Sequence, residues 1–324
     1  MRLKLVPLDT TIDFFAIRRV TFGASLVAMI ASVLVFAIIG LNFGIDFRGG
    51  TSIRTEAQNP VEVGAYRDAV QPLGLGDVAI TEVFDPNFRA DQHVAMIRIQ
   101  AQDGEEAVTP EVIAQVESAL QNLDDTLRFT AVESVGPKVS GELIRAAIIA
   151  VTLALAAVLF YIWLRFEWQF SVGAVAALVH DIVLTIGIFS ILQIRFDLAI
   201  IAALLTIVGY SLNDTVVVFD RVRENLIKYK KRPLKEVLNL SINETLSRTV
   251  MTSITTLLAL LALFVLGGDV IRGFVFAMIW GVIVGTYSSV YVASAVLLML
   301  GVTRDWSKEK DDKSGGTQFG KSEA

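Results

Sequence analysis

Residues 198–219 read LAIIAALLTIVGYSLNDTVVVF, with Asp214 their only formally charged side chain, and the polar run DRVREN follows directly at 220–225. A helix rises about 1.5 Å per residue, so about 20 residues cross a hydrocarbon core roughly 30 Å thick. The run is therefore long enough to span a bilayer, and it carries a carboxylate into it. The same ruler finds five more spans, near 20–41, 146–164, 168–192, 249–266 and 274–300. With 54% hydrophobic residues in 324, the chain is too apolar for a soluble domain of its size. The first run is longer than a signal-peptide core and no small-residue cleavage pattern follows it, which predicts a retained anchor.

Lys and Arg set the orientation. Arg2, Lys4, Arg18 and Arg19 precede the first span, and Arg221, Arg223, Lys228, Lys230, Lys231, Arg232 and Lys235 crowd the fourth connection. Both regions, with Arg165 and the basic tail, are expected in the cytoplasm, so both termini are cytoplasmic. The expected organisation is a cytoplasmic N-terminus at 1–19, a first span at 20–41, a periplasmic domain at 42–143, and a five-helix membrane region at 144–301 with a cytoplasmic loop near 220–247. A disordered cytoplasmic tail at 302–324, rich in Lys, Asp, Gly and Ser, completes it.

Within 42–143, strand patterns at 51–57, 77–85, 93–101 and 127–135 alternate with helical patterns at 60–73 and 109–123. The order β-α-β-β-α-β is the split βαβ, or ferredoxin-like, arrangement. The fold class is thus an α-helical polytopic membrane protein, with six transmembrane helices plus a periplasmic α+β ferredoxin-like domain. In the cytoplasmic connection, Leu234, Val237, Leu238, Leu240 and Ile242 have amphipathic spacing. They fit either a helix lying on the membrane surface or a plain extension of the fifth span.

The composition narrows the chemistry. A net charge of -5 argues against a nucleic-acid partner. The absence of cysteine, with His93 and His180 the only histidines, argues against a metal centre. No nucleotide loop or nucleophile constellation is present, so neither an enzyme nor a cofactor is expected.

An ionisable group inside a span costs a few kcal/mol, about 3 on insertion scales, and is a functional candidate by default. Thr206, Tyr210, Asn213 and Asp214 fall at helical spacing and predict a polar stripe. Arg248 opens the fifth span at a matching depth, with Thr252 and Thr255 behind it. Dehydration and a nearby guanidinium act on a carboxylate in opposite senses, so small changes in hydration or separation could switch its protonation. A static ion pair fixing helix register would not need the whole stripe, which favours a proton relay. His180 and Asp181, in the third span, are a second possible relay or an interhelical hydrogen bond. Ser288, Ser289 and Ser294 are read as packing positions.

The segment GIDFRGG (44–50) follows the first span, and its Asp46 and Arg48 could pair with the returning VGPKVSGEL (135–143). Asp46, Arg48, Gly49, Gly50, Gly136, Pro137 and Gly141 then form a hinge at the base of the domain, or an ordinary approach to the first strand.

These two segments, with VHDIVLTIG (179–187), IVGYSLNDTVVVFDRVREN (207–225) and INETLSRTVMTSITTLLALLALF (242–264), stand in the order of one family of export membrane proteins. Across residues 43–300 the chain resembles the SecD/SecF family of protein-export membrane proteins, in the resistance-nodulation-division superfamily. That superfamily has twelve spans built from two halves, and this chain supplies one. The resemblance implies a SecD-like subunit as the other half, the SecYEG channel and YajC as further partners, a translocating preprotein as cargo, and use of the protonmotive force to assist export across the inner membrane. The family's proton-conducting Asp and Arg map onto Asp214 and Arg248. A homodimeric exporter of lipids or drugs, and a non-conducting scaffold for the translocon, are the alternatives.

Overall fold

A computed structural model describes residues 10–302, apart from 77, 86, 87, 90 and 101–107. The proposed tail lies outside the described residues except for Val302. In chain order the elements are α1 (Arg18–Ile39), α2 (Ile45–Arg48), β1 (Gly50–Ala57), α3 (Val63–Val70), β2 (Val78–Val83), β3 (His93–Gln100), α4 (Pro110–Gln121) and β4 (Arg128–Val135). The membrane helices α5 (Pro137–Arg165), α6 (Trp168–Leu192), α7 (Leu198–Lys228) and α8 (Leu234–Leu266) follow. α9 (Asp269–Ser288) continues through a π turn at Ser289–Ala293 into α10 (Ser294–Leu300). Among the described residues, six helical stretches are long and apolar enough to cross a membrane: α1, α5, α6, α7, α8 and Val270–Leu300.

The four strands form one antiparallel sheet in the order β2-β3-β1-β4. β3 lies between β1 and β2, as a split βαβ requires. Ile53 of β1 and Ile80 of β2 both sit opposite Ile97 of β3, and this apolar row packs under α3 and α4 against Val70, Val116 and Leu120. α4 begins with Pro110, whose missing N–H removes nothing from a first turn.

The bundle departs from the sequence reading in helix length. α7 and α8 continue well past the apolar spans as a hairpin, and residues 234–246 form the first turns of α8 itself, with Pro233 as its N-cap. Their amphipathic spacing serves a protein contact. Val237, Leu238 and Ile242 pack on Val222 and Leu226 of α7, and Asn225 donates to Ser241 Oγ at 3.0 Å and Glu244 Oε2 at 2.7 Å. Residues 10–16 strap the hairpin: Asn243 accepts from Ile12 N at 2.9 Å and donates to Ile12 O at 2.8 Å, while Asn239 accepts from Phe14 N at 2.9 Å. The N-terminal segment and the fourth connection therefore lie at one end of the bundle.

The sheet domain stands at the other end, and its base differs from the expected pairing. Asp46 accepts a hydrogen bond from Leu198 N at 3.0 Å, at the start of α7, and does not bond the returning segment. Gly44 N donates to Phe196 O and Phe196 N to Asn42 O, both at 2.8 Å, lacing the exit of α1 to the α6–α7 loop. Gly49 does meet the returning segment. It has φ 71°, and a Cβ there would lie 3.3 Å from Val135 O and 3.4 Å from Pro137 Cα, so glycine is required by both conformation and space. Gly50 also has positive φ, at 119°, whereas Gly136 is an extended N-cap with Pro137 at the first helical position of α5, and Gly141 has open space around it.

Candidate functional site

Two apolar clusters fill the bundle ends. Phe170, Phe219, Val222, Val290 and Leu297 belong to the one near the strap; Phe189, Ile200, Ile207, Val275 and Val282 belong to the one under the sheet domain. Between them α6, α7, α8 and α9 each contribute polar side chains at the same level. Asp214 sits in this layer, 7% exposed. Its Oδ1 accepts from Thr249 Oγ1 at 2.7 Å and its Oδ2 from Ser289 Oγ at 3.0 Å. His180 and Asp181 occupy the same layer, each 1% exposed, with His180 Nδ1 3.0 Å from Asp181 Oδ1. Asp181 Oδ2 accepts from Ser211 Oγ at 2.6 Å and Ser288 Oγ at 2.8 Å. His180 stacks on Tyr287, and its Nε2 is buried with no partner among the described residues.

The serines read as packing positions are thus the link. Ser288 and Ser289 are consecutive, and neighbouring helical residues point about 100° apart, so one reaches Asp181 on α6 and the other Asp214 on α7. The π turn starts at Ser289, and such turns recur where a helix re-aims side chains. Close helix packing delivers the pair. On α9, Gly281 and Gly285 face Ile207 and Ser211 of α7, and a Cβ on Gly285 would lie 3.1 Å from Ser211 Cβ. The sequence signal was there to find: two small residues four apart, one turn before a Ser-Ser pair.

The stripe on α7 splits. Thr206 and Asn213, seven residues apart, project from one line of the helix and are exposed, whereas Asp214 is turned about 100° from Asn213 into the bundle. Tyr210, partly buried, points its hydroxyl toward Ser253 Oγ at 3.5 Å. Arg248 is exposed and makes no ion pair with Asp214; it acts on that carboxylate only through space, and Thr249 beside it makes the contact. The expected Asp–Arg pair is therefore replaced by hydroxyl contacts. Thr206, Thr252 and Thr255 bond back to their own helices at 2.8, 3.1 and 2.9 Å. Asn213 and Arg248 hold no side-chain hydrogen bond among the described residues.

This arrangement suits a titrating group. An ionised carboxylate only accepts, while a protonated one also donates, and serine and threonine hydroxyls can turn to serve either state. A guanidinium partner would fix the ionised form. Among the described residues, no cluster of metal-ligating side chains is found.

Residues 115–303 match the family described as protein export membrane protein SecD/SecF, C-terminal, and residues 34–61 match the SecD/SecF GG motif. The chain is 63% identical to the protein translocase subunit SecF of Cereibacter sphaeroides, over 98% of each chain. It is 61% identical to that of Rhodobacter capsulatus, over 97% of this chain and 95% of the relative. Among solved structures it resembles SecDF, a translocon-associated membrane protein from Thermus thermophilus, with TM-score 0.81, 38% identity and 93% of this chain covered. It spans 40% of that longer chain.

Proposed function

Because the chain belongs to the SecD/SecF family of protein-export membrane proteins, we propose that it is the SecF-type accessory subunit of the Sec translocase, driven by proton movement through Asp214. One observation carries the proton reading: a buried carboxylate in mid-bundle, closed off by apolar clusters on both sides and held by two hydroxyls that suit either protonation state. Asp181, bonded by Ser211 of α7 and Ser288 of α9, is a second position on the proposed path, with His180 as its orienting partner.

A SecD-like subunit supplies the other six spans. Asn213 and Arg248, exposed at membrane depth without hydrogen bonds of their own, support a protein or aqueous neighbour on that face, since lipid offers neither donor nor acceptor. Arg248 then tunes Asp214 from the subunit boundary. The termini and the α7–α8 hairpin are cytoplasmic and the sheet domain periplasmic, by the Lys and Arg distribution. SecYEG is the channel served, YajC a further member of the assembly, and a translocating preprotein the cargo. The chain itself performs no covalent chemistry.

A charge crossing 100 mV yields about 2.3 kcal/mol, enough to bias a two-state rearrangement. Asp46 capping α7 and Gly49 packed on the start of α5 are the joints through which a shift of α7 reaches the sheet. The test is proton flux and gradient-stimulated export by the complex with its SecD-like partner. Asp214→Asn should abolish both while leaving the complex assembled. Normal export by that variant would reject the relay and leave a scaffold.

A further inference from the structure

Where the sheet domain meets the bundle lies a cavity of about 410 Å³ with two chemistries on its wall. Its polar side carries Arg98 of β3, Arg195 and Asp197 ahead of α7, Arg272 of α9 and Glu82 of β2. Its apolar side carries Ile194, Phe264, Phe274 and Phe276, with Val270 at the margin. The α8–α9 turn at Gly267 and Gly268 ends these spans, so Phe264, Phe274 and Phe276 lie about 5 to 12 Å of helical rise below it, within the acyl layer of one leaflet. Phe84, 71% exposed, and Val270, 68% exposed, extend the apolar rim outward.

The wall carries three guanidinium groups against two carboxylates, Asp197 and Glu82, and is net positive. Asp197 is engaged by Arg195 Nε at 3.2 Å and by Ile200 N at 3.3 Å, and Arg272 donates to Phe84 O at 2.8 Å. The half-buried Arg98 side chain makes no hydrogen bond or ion pair among the described residues. Burial, then the guanidinium groups of Arg195 and Arg48, hold its pKa below the ordinary arginine value, with Asp197 opposing them. Arg48 borders a smaller adjoining cavity that Arg98 also lines. Guanidinium groups are natural phosphate ligands. Here they are set over an apolar wall at the level where phospholipid headgroups meet their chains.

We propose that this cavity binds one phospholipid of the leaflet on the domain side, with its phosphate on Arg98 beside Arg195 and Arg272, and an acyl chain along Phe264, Phe274 and Phe276. The lipid fills the joint between domain and bundle. This assignment stands apart from the proton relay and does not depend on it.

Native mass spectrometry of the full chain, released in mild detergent from bilayers of phosphatidylglycerol and phosphatidylethanolamine, tests the site. The wild type should retain one phospholipid, and Arg98→Gln should lower the retained fraction at least fivefold. Val270→Glu places a negative charge on the exposed rim, away from any packed core, and should do the same with folding intact. Equal retention by the wild type and both variants overturns the site. A second arm separates the sources of phosphate: added phospholipid should raise the unfolding midpoint of the delipidated chain, and millimolar inorganic phosphate should not. An equal rise with inorganic phosphate overturns the lipid assignment in favour of a soluble anion. Loss of the lipid when the chain is copurified with its SecD-like partner gives the cavity to the partner and overturns it equally.

Discussion

In the sheet domain the fully buried side chains include Ile53, Ile97, Ile99, Val116 and Leu120; in the middle layer of the bundle they include His180, Asp181, Ser211, Ser288 and Ser289. The two interiors are built under different solvents. Water drives apolar surface inward at about 25 cal/mol per Å², which is what holds α3 and α4 to the sheet. Lipid is as apolar as leucine, so it gives no such push, and a polar side chain in a span must find a partner inside the protein. The helices divide accordingly. The most apolar windows of α1, α5 and α8 are each 11% buried, against 61% for Val270–Leu300, which supplies both serines. Buried apolar surface therefore organises the domain, and buried polarity organises the bundle.

The largest test of this contrast is a pair of truncations. Ile97→Ala removes the residue that both neighbouring strands face, and should cost the sheet domain about 3 kcal/mol in chemical denaturation. Leu258→Ala, at an α8 residue that is 63% exposed, should change bundle stability by less than about 0.5 kcal/mol. Equal losses would break the distinction.

Next in size is Gly285→Val, which drives a branched side chain against Ser211. It should destabilise the bundle by about 1–3 kcal/mol and depress proton flux by parting α9 from α7, whereas Gly141→Val, in open space, should leave flux unaffected.

Smaller effects should follow from the hydroxyls on Asp214. Ser289→Ala and Thr249→Ala each delete one hydrogen bond, worth about 0.6 kcal/mol on average between membrane helices. Each should displace the pH profile of proton flux with little loss of complex, and Thr249→Ser should restore it. An unmoved profile in both alanine variants would separate the hydroxyls from the titration.

A pH-dependent effect of comparable size belongs to the domain. Asp124 caps the turn before β4, accepting from Thr126 N at 2.9 Å and Thr126 Oγ1 at 2.6 Å. Burial pushes its carboxyl up, but hydrogen bonds from Thr126 and Asn59 together outweigh that and hold it below the ordinary value. A depressed carboxylate adds stability that is present above its unfolded value and lost as pH falls through the folded one. Asp124→Ala should therefore cost about 1 kcal/mol near neutrality, with the difference from wild type shrinking once the pH drops below the usual carboxylate range. A difference that grows on acidification would contradict the cap.

Much of this architecture could be read from the residues. Hydropathy located all six spans, and the βαββαβ order was legible because short strand and helix patterns are each bounded by turn residues. Helix ends were less legible. A hydropathy ruler measures lipid thickness, so it closed the fourth span at Phe219 and opened the fifth at Thr249, while Asn225, Ser241 and Glu244 carry both helices on together outside it. Asp214 declared itself because a lone carboxylate in a span is costly. Its partners did not. Small hydroxyls are ordinary in membrane helices, and only the 100° step between Ser288 and Ser289, combined with the glycine contacts on α9, distinguishes them from packing. The same step explains Arg248, where a matching depth did not reveal that Thr249 faces inward and Arg248 outward.

The proposed relay requires that Asp214 change protonation in place. Infrared difference spectroscopy of the complex in bilayers, cycled between acid and alkaline buffer, should show a protonated-carboxyl C=O band that appears and disappears with pH and is missing from Asp214→Asn. A spectrum in which Asp214→Asn removes no pH-dependent carboxyl band, while export continues, would contradict it.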